Sequence, residues 1–394
     1  MSMVRKKQNI YLDNAASTPI DLRVKKETVK ALEFYGNPSS FNDIGREAKK
    51  ILEDSRFKIA RFMGARPEEI IFTSSGSEAN NLAIFGLTHG QKPGEVITTP
   101  IEHPSVLEPL KELSKRGWNI TYLKVNSDGL IDLKDFEKKL NPEVMLVSII
   151  YANNEIGSIQ PIKTISKIIN KFRTRKLEID GKPPLFHMDA CQAAGYLDMN
   201  VNNLRVDLTT LNGSKIYGPR GIGVLYKKRG INLGPMVYGG GQEHGLRAGT
   251  ENLQAVVGLA KALELIDKKE GPRLATLRDY FIDKIKVLIP DIKINGSQGD
   301  KRLANNINIS IPGLDSENLL LELDKYGIYA GSGSACTAHS VEPSHILKAI
   351  GVENKYLSGV LRLSLGRQTT KKDVNYVLKA LPRLVGDLRK RYRK

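Results

Sequence analysis

The segment Leu185-Phe186-His187-Met188-Asp189 is an apolar run closed by an acid, and Ala190-Cys191-Gln192 follows it. A carboxylate at the C-terminal edge of a buried strand stands where open α/β sheets bind ligands. Capping the next helix is the plainer role for it. Further along, Lys215 lies in Asn212-Gly213-Ser214-Lys215-Ile216-Tyr217-Gly218-Pro219, a Gly-rich turn after another apolar run. A lysine at a strand end in a ligand crevice can form a Schiff base, and an acidic partner can hold a pyridinium nitrogen protonated. A third run, Ile70-Ile71-Phe72-Thr73-Ser74, leads into Ser75-Gly76-Ser77-Glu78. Ser75 and Glu78 have capping-box spacing, so the free N–H groups of the helix that follows, with close approach allowed at Gly76, make a phosphate site. Alone, such a signature is more often a simple helix cap. Phosphate cradle, strand-end Asp189 and strand-end Lys215 together are the parts of a pyridoxal-phosphate site.

Two further residues join them. His103, in Thr99-Pro100-Ile101-Glu102-His103-Pro104, follows another strand, where an imidazole can lie on a cofactor ring and exchange protons near neutral pH. Without the other motifs, a satisfied loop histidine would be the better reading. Cys336 sits in Gly331-Ser332-Gly333-Ser334-Ala335-Cys336-Thr337, a run of small residues that reads as an exposed, mobile loop. A cysteine there can act as a nucleophile or sulfur carrier, whereas Cys191, at an apolar helix start, reads as packing.

The elements that must position these residues are visible as hydrophobic rhythm. β-rich runs at Ile70 to Ser74, Val96 to Pro100, Ile120 to Val125, Val144 to Tyr151, Leu185 to Asp189, Leu208 to Leu211 and Gly223 to Tyr226 alternate with helical patterns. That alternation predicts a mostly parallel seven-stranded sheet in an α/β fold. Ile44, Ala48, Ile51, Leu52, Ser55, Ile59 and Phe62 recur at steps of three or four and predict a long amphipathic helix before the first strand. After Gly249 the pattern becomes helices from Leu253 to Asp267 and Pro272 to Leu288, short strands near Ile307 to Ile311 and Leu361 to Leu365, and a last helix striped by Val374, Val377, Leu381, Leu384, Val385 and Leu388. The expected division is a large domain over 12–260 and a smaller α+β domain from 1–11 and 261–394. Arg173 to Pro184 reads as an extended polar loop.

Composition excludes several classes. With 394 residues, 40% hydrophobic and 26% charged, the chain is long enough to bury a sizeable core and unlike disordered or collagenous sequences. No apolar run approaches a membrane span, and Met1 to Asn9 leads into no signal-peptide core, so a cytoplasmic setting is expected. Two cysteines 145 positions apart exclude CxxC redox and zinc-ribbon spacings. The net charge of +17 is scattered except at Arg389-Lys390-Arg391-Tyr392-Arg393-Lys394, where cations complement a helix C-terminus, so direct nucleic-acid binding is not expected.

Tyr11-Leu12-Asp13-Asn14-Ala15-Ala16-Ser17-Thr18-Pro19, Gly36-Asn37-Pro38-Ser39-Ser40, Asn153-Asn154-Glu155-Ile156-Gly157, Gly239-Gly240-Gly241-Gln242-Glu243 and Ser332-Gly333-Ser334-Ala335-Cys336-Thr337 occur in that order across nearly the whole chain. This set resembles the cysteine desulfurases of the NifS/IscS type, within the class-V aminotransferase superfamily. The resemblance implies a fold-type-I pyridoxal 5'-phosphate enzyme, homodimeric, that takes sulfur from L-cysteine and passes a persulfide to an iron–sulfur scaffold or tRNA-thiolation partner. It also implies roles: Lys215 as the Schiff-base lysine, Asp189 on the pyridine nitrogen, Gln192 on the ring hydroxyl and His103 stacked on the ring. Gly76, Ser77 and, from the second subunit, Thr250 would bind phosphate. Asn154 and Arg367 would hold the substrate carboxylate, and Cys336 would carry the sulfur. Asn212 and Ser214 replace the family's usual Ser and His before the lysine, which removes a cationic phosphate donor. Asn42 stands where a His is usual, and the loop from Lys171 to Leu185 is expected to be longer than in relatives.

Overall fold

The computed structural model describes residues 9–177, 184–333 and 343–392. A two-residue strand β1 (Ile10–Tyr11) precedes the seven strands of the main sheet: β2 (Ile70–Thr73), β3 (Glu95–Thr98), β4 (Asn119–Tyr122), β5 (Val144–Ile150), β6 (Leu185–Asp189), β7 (Leu208–Asn212) and β8 (Gly223–Lys227). Their spatial order is β2-β8-β7-β6-β5-β3-β4. All neighbours are parallel except β8, which runs against both β2 and β7. The seven expected strands are thus all present, and the C-terminal ends of β2, β3, β5, β6 and β7 share one edge. Gly223 opens β8 opposite both Thr73 and Asn212, where a Cβ would lie 2.4 Å from the Ser75 carbonyl carbon. Only glycine lets the β2 turn pack this closely against the Lys215 turn.

The long helix Asp43–Met63 forms as its periodicity predicts. Asn42 caps it by accepting from the Gly45 N–H at 2.8 Å, and Gly64 ends it at φ +66°. Ala48, Leu52 and Ile59 are buried, while Ile44 remains exposed. These residues join a core that includes Phe72, Ile97, Val147, Phe186, Leu211, Val256 and Leu259. The stretch after Lys171 departs from expectation: helix Ile162–Leu177 runs on through it, and residues 178–183 lie outside the described ones.

Beyond residue 264, β9 (Lys293–Ile294), β10 (Asn306–Ser310), β11 (Ile328–Tyr329) and β12 (Val360–Ser364) form two small sheets. The order β12-β10-β9 is antiparallel, and β11 pairs in parallel with β1. A second apolar cluster, including Ile10, Leu12, Phe281, Ile307, Ile309, Leu361, Leu363 and Leu381, packs them against helices Glu270–Leu288, Ser316–Lys325 and Lys371–Tyr392. Helices Leu22–Lys30 and Ser316–Lys325 were not expected from the sequence pattern. This part is sewn to the main sheet at the turn after β5. Asn306 Nδ2 and Asn308 Nδ2 both donate to the Glu155 carbonyl, and the Leu303 N–H donates to the Gly157 carbonyl. Gly157, at φ +72°, would place a Cβ 2.5 Å from Asn306 Oδ1, so the join also requires glycine.

Candidate active site

One cavity opens at the shared C-terminal edge of the sheet. Its walls are Ala15, Ala16, Gly76, Ser77, His103, Ser105, Ile150, Asn154, Asp189, Cys191, Gln192, Asn212, Lys215 and Arg362. Eight sequence-predicted residues therefore meet in one place: Gly76, Ser77, His103, Asn154, Asp189, Gln192, Asn212 and Lys215.

Asp189 is the last residue of β6. Its Oδ1 accepts from the Cys191 N–H at 3.0 Å and its Oδ2 from Asn80 Nδ2 at 2.8 Å. Lys215 closes the one-turn helix Gly213–Lys215 after β7, and its Nζ donates to the Ala16 carbonyl. The turn is clamped by the N-terminal segment. Thr18 N–H donates to the Ser214 carbonyl at 2.8 Å, Tyr217 N–H donates to Thr18 Oγ1 at 2.7 Å, and Asp21 N–H donates to the Tyr217 carbonyl at 3.0 Å. Tyr217 has φ +63°, a left-handed conformation that costs a non-glycine residue and persists because these bonds hold it.

Ser75 caps helix Gly76–Thr88, its hydroxyl accepting from the Glu78 N–H at 3.1 Å. The reciprocal half of the capping box is displaced by one residue, because the Glu78 carboxylate accepts from the Ser74 N–H and pairs with Arg247. A Cβ at Gly76 would lie 2.6 Å from Cys191 Sγ and 3.4 Å from Asn212 Nδ2. Glycine lets the first turn of the helix sit close over Cys191, so that Gly76 and Ser77 line the cavity with the Asn212 amide beside them, which suits an anion. Burial, then the charge of Asp189, push the Cys191 thiol well above its ordinary pKa, which keeps it protonated and un-nucleophilic.

His103 caps helix Pro104–Lys115, its Nδ1 accepting from the Ser105 N–H at 3.1 Å and lying 2.7 Å from Ser105 Oγ. Burial lowers its pKa, with Lys215 and His345 acting in the same direction and Asp189 opposing. Gln192 lines the cavity while its Nε2 donates to the Ala15 carbonyl at 2.9 Å.

Asn154 and Arg362 carry the signature of a missing polar partner. Among the described residues Asn154 Oδ1 and Arg362 Nε are buried with no hydrogen-bond partner, although both residues line the cavity. Arg362, on β12 and 1% exposed, is otherwise held by Asp13 Oδ1 at 2.7 Å and the Asn154 carbonyl at 3.3 Å. Arg367 is not there. Its Nε pairs with Glu270 at 3.0 Å, its Nη1 with Asp21 at 3.2 Å, its Nη2 donates to the Leu265 carbonyl, and the guanidinium lies 4.2 Å over the Tyr217 ring. The expectation that Arg367 faces a substrate carboxylate is corrected: it locks the outside of the Lys215 turn, and Arg362 is the arginine on the cavity wall.

Ser214 also stands off the wall, its hydroxyl donating to Asn212 Oδ1 at 3.0 Å. Thr250 is exposed and outside the cavity of its own chain. Cys336 lies outside the described residues. Sequence reasoning missed Asn80, Ser105 and Arg362. The lone arginine inside Val360-Leu361-Arg362-Leu363 was a readable signal for the last, since a buried strand rarely holds a charge without use.

The class-V aminotransferase profile matches residues 10–377. The chain is 43% identical over 393 residues to a protein named cysteine desulfurase IscS from Dictyoglomus turgidum, covering 97% of this chain and 96% of that one. Among solved structures it superposes on a NifS-like protein with a TM-score of 0.88 at 33% identity, covering 97% of this chain and all of that one. It also matches SspA in complex with cysteine, with a TM-score of 0.78 at 32% identity, covering 91% of this chain and 99% of that one. A sheet edge that gathers a strand-end acid, a strand-end lysine and a helix N-terminus agrees with all three likenesses, and the chain belongs to the class-V aminotransferase family, among its cysteine desulfurases.

Proposed function

We propose that the protein is a pyridoxal 5'-phosphate-dependent cysteine desulfurase, converting L-cysteine to L-alanine and an enzyme-bound persulfide. The observation that carries this reading is the convergence of Lys215 and Asp189 on one cavity whose wall also holds two buried, unbonded polar atoms, Asn154 Oδ1 and Arg362 Nε. These residues fit the cofactor. Lys215 would hold its aldehyde carbon, Asp189 its ring nitrogen, His103 its ring face and Gln192 its ring hydroxyl, while the N–H groups at Gly76 and Ser77, with Asn212, would hold the phosphate. Bound there, the cofactor supplies an electron sink for the substrate Cα.

The chain's own residues do the rest. Arg362 offers a planar cationic fork to the substrate carboxylate, with Asn154 beside it. Lys215 Nζ would be the base that takes the proton from the substrate Cα and hands it back. The Cys336 thiolate attacks the substrate sulfur: an S–S bond forms as the Cβ–S bond breaks, the electron pair stays with the substrate carbon, and a proton completes the alanine methyl group.

The reading includes a homodimer in which Thr250 completes the neighbour's phosphate site. Its exposure supports this, as do the exposed apolar side chains of Tyr35, Phe41, Phe57 and Tyr238. It also includes the two-domain division at 12–260, supported by the separate apolar cluster that Phe281, Ile307, Ile309, Leu361, Leu363 and Leu381 form, although Leu12 packs into that cluster and Leu303 into the core of the main sheet. The sulfur acceptor would be an iron–sulfur scaffold or tRNA-thiolation protein. Among the described residues no helix is long and apolar enough to cross a membrane, and we place the protein in the cytoplasm. The test is stoichiometric: purified holoenzyme given L-cysteine and reductant should release alanine and sulfide in equal amounts. Keto-acid release instead would make it a transaminase.

A further inference from the structure

Asn80 lies in helix Gly76–Thr88, 1% exposed and outside the cavity wall, yet it bonds Asp189 directly and reaches His103 through Ser105. Its Nδ2 has two protons, and both are placed: one goes to Asp189 Oδ2 at 2.8 Å, the other to Ser105 Oγ at 2.8 Å. Because Ser105 Oγ accepts from Asn80, its own proton is available to His103 Nδ1, 2.7 Å away. The Ser105 backbone N–H, which can only donate, reaches the same nitrogen at 3.1 Å. The backbone N–H cannot accept, so its bond requires that Nδ1 carry no proton; the neutral ring then has its proton on Nε2, and the Ser105 hydroxyl is free to donate to the same nitrogen. The amide cannot be turned around, since that would set Asn80 Oδ1 against the Asp189 carboxylate. The structure shows what this orientation costs: Asn80 Oδ1 is buried without a partner.

We propose that Asn80 is a positioning residue that couples Asp189 to His103, fixing the carboxylate by one proton and, through Ser105, holding His103 as the neutral imidazole protonated at Nε2. A charged imidazolium would need Nδ1 to donate, which would turn the Ser105 backbone N–H against it and require the Ser105 hydroxyl to accept from both Asn80 and the ring. The charged and titratable groups facing His103 act on top of this: Lys215 and His345 disfavour the cation, Asp189 favours it, and burial disfavours it most. The inference rests on the reading that Asp189 and His103 face the cofactor, but its first test does not depend on desulfurase activity.

That test is 15N NMR of holoenzyme labelled at histidine, with His103 assigned by comparison with His103→Gln. Expected is a non-protonated, hydrogen-bonded Nδ1 and a protonated Nε2 at pH 7. An imidazolium, or a proton on Nδ1, would overturn the proposal even in an active enzyme. The second test is kinetic and spectroscopic. Asn80→Ala should lower kcat by about 10- to 100-fold with little change in KM for L-cysteine, as expected for misplaced reacting groups. It should also move the pH midpoint of the cofactor's visible absorbance. Ser105→Ala keeps the backbone N–H and should do both more weakly. If Asn80→Ala fails to fold, the Ser105→Ala profile and the wild-type NMR decide. Wild-type pH profiles in both variants would show Asn80 to be packing alone. Absence of alanine formation by wild type, with the tautomer as stated, would sink the desulfurase reading and leave the Asn80 coupling intact.

Discussion

Arg362 Nη2 donates to Asp13 Oδ1 at 2.7 Å while its Nε is buried without a partner on the cavity side. The Asp13 contact ties the N-terminal segment to β12 and aims the guanidinium, and the unbonded Nε marks where an acceptor belongs. Arg362→Lys keeps the charge but loses the fork, so KM for L-cysteine should rise by about 10- to 100-fold, the loss expected for a hydrogen bond to a charged group. Arg367→Ala should leave KM within about twofold and lower the thermal midpoint, because its partners are Glu270, Asp21 and Tyr217. The opposite pattern would restore Arg367 as the carboxylate ligand.

Lys215 is expected to carry the cofactor. Borohydride reduction of holoenzyme followed by digestion should fix the cofactor mass on the peptide containing Lys215, and Lys215→Ala should lose the visible chromophore. Cofactor mass on any other lysine would remove the whole mechanistic assignment.

After brief exposure to L-cysteine without reductant, peptide mass spectrometry should find one extra sulfur on Cys336. Cys191 is packed under Gly76, with a thiol pKa raised by burial and by Asp189, so it should remain unmodified. Cys336→Ser should still show the spectral change on L-cysteine addition and release almost no sulfide. Sulfur found on Cys191 would refute the assignment.

The Ser214 hydroxyl donates to Asn212 Oδ1 rather than into the cavity. Ser214→His restores a cationic donor, and a charge-assisted hydrogen bond is about twice as strong as a neutral one. The variant should lose cofactor more slowly on dialysis than wild type; equal or faster loss would show that position 214 does not reach the phosphate.

Glu102 is fully buried, its Oε1 accepting from Thr99 Oγ1 at 2.6 Å. Burial, with Asp189 adding to it, pushes its pKa up to about 8. The native state therefore keeps a proton that the unfolded chain releases near its ordinary value of 4.5, so stability falls as pH rises between those two values. Glu102→Gln, neutral throughout, should lose this slope and gain on wild type by several kcal/mol (about 5 at most) between pH 5 and pH 8 in denaturant titrations. Parallel stability curves for the two proteins would show that Glu102 is ionised in the native state.

The seven strands of the main sheet, the long helix Asp43–Met63 and the strand-end positions of Asp189 and Lys215 were all written in the sequence, because period and punctuation are local properties of the chain. Helix Ile162–Leu177 runs past Arg173, where the charged sequence predicts an extended loop. The cavity itself was decided only by packing. Arg362 and Arg367 stand five positions apart in one segment, yet one is aimed inward by Asp13 and the other outward by Glu270 and Asp21, partners up to 349 positions away. Asn80 looked like any polar residue on a helix until β6 and the His103 turn were folded against it. Which atoms a polar side chain bonds depends on what the rest of the chain brings to it, and pattern along the sequence holds no record of that.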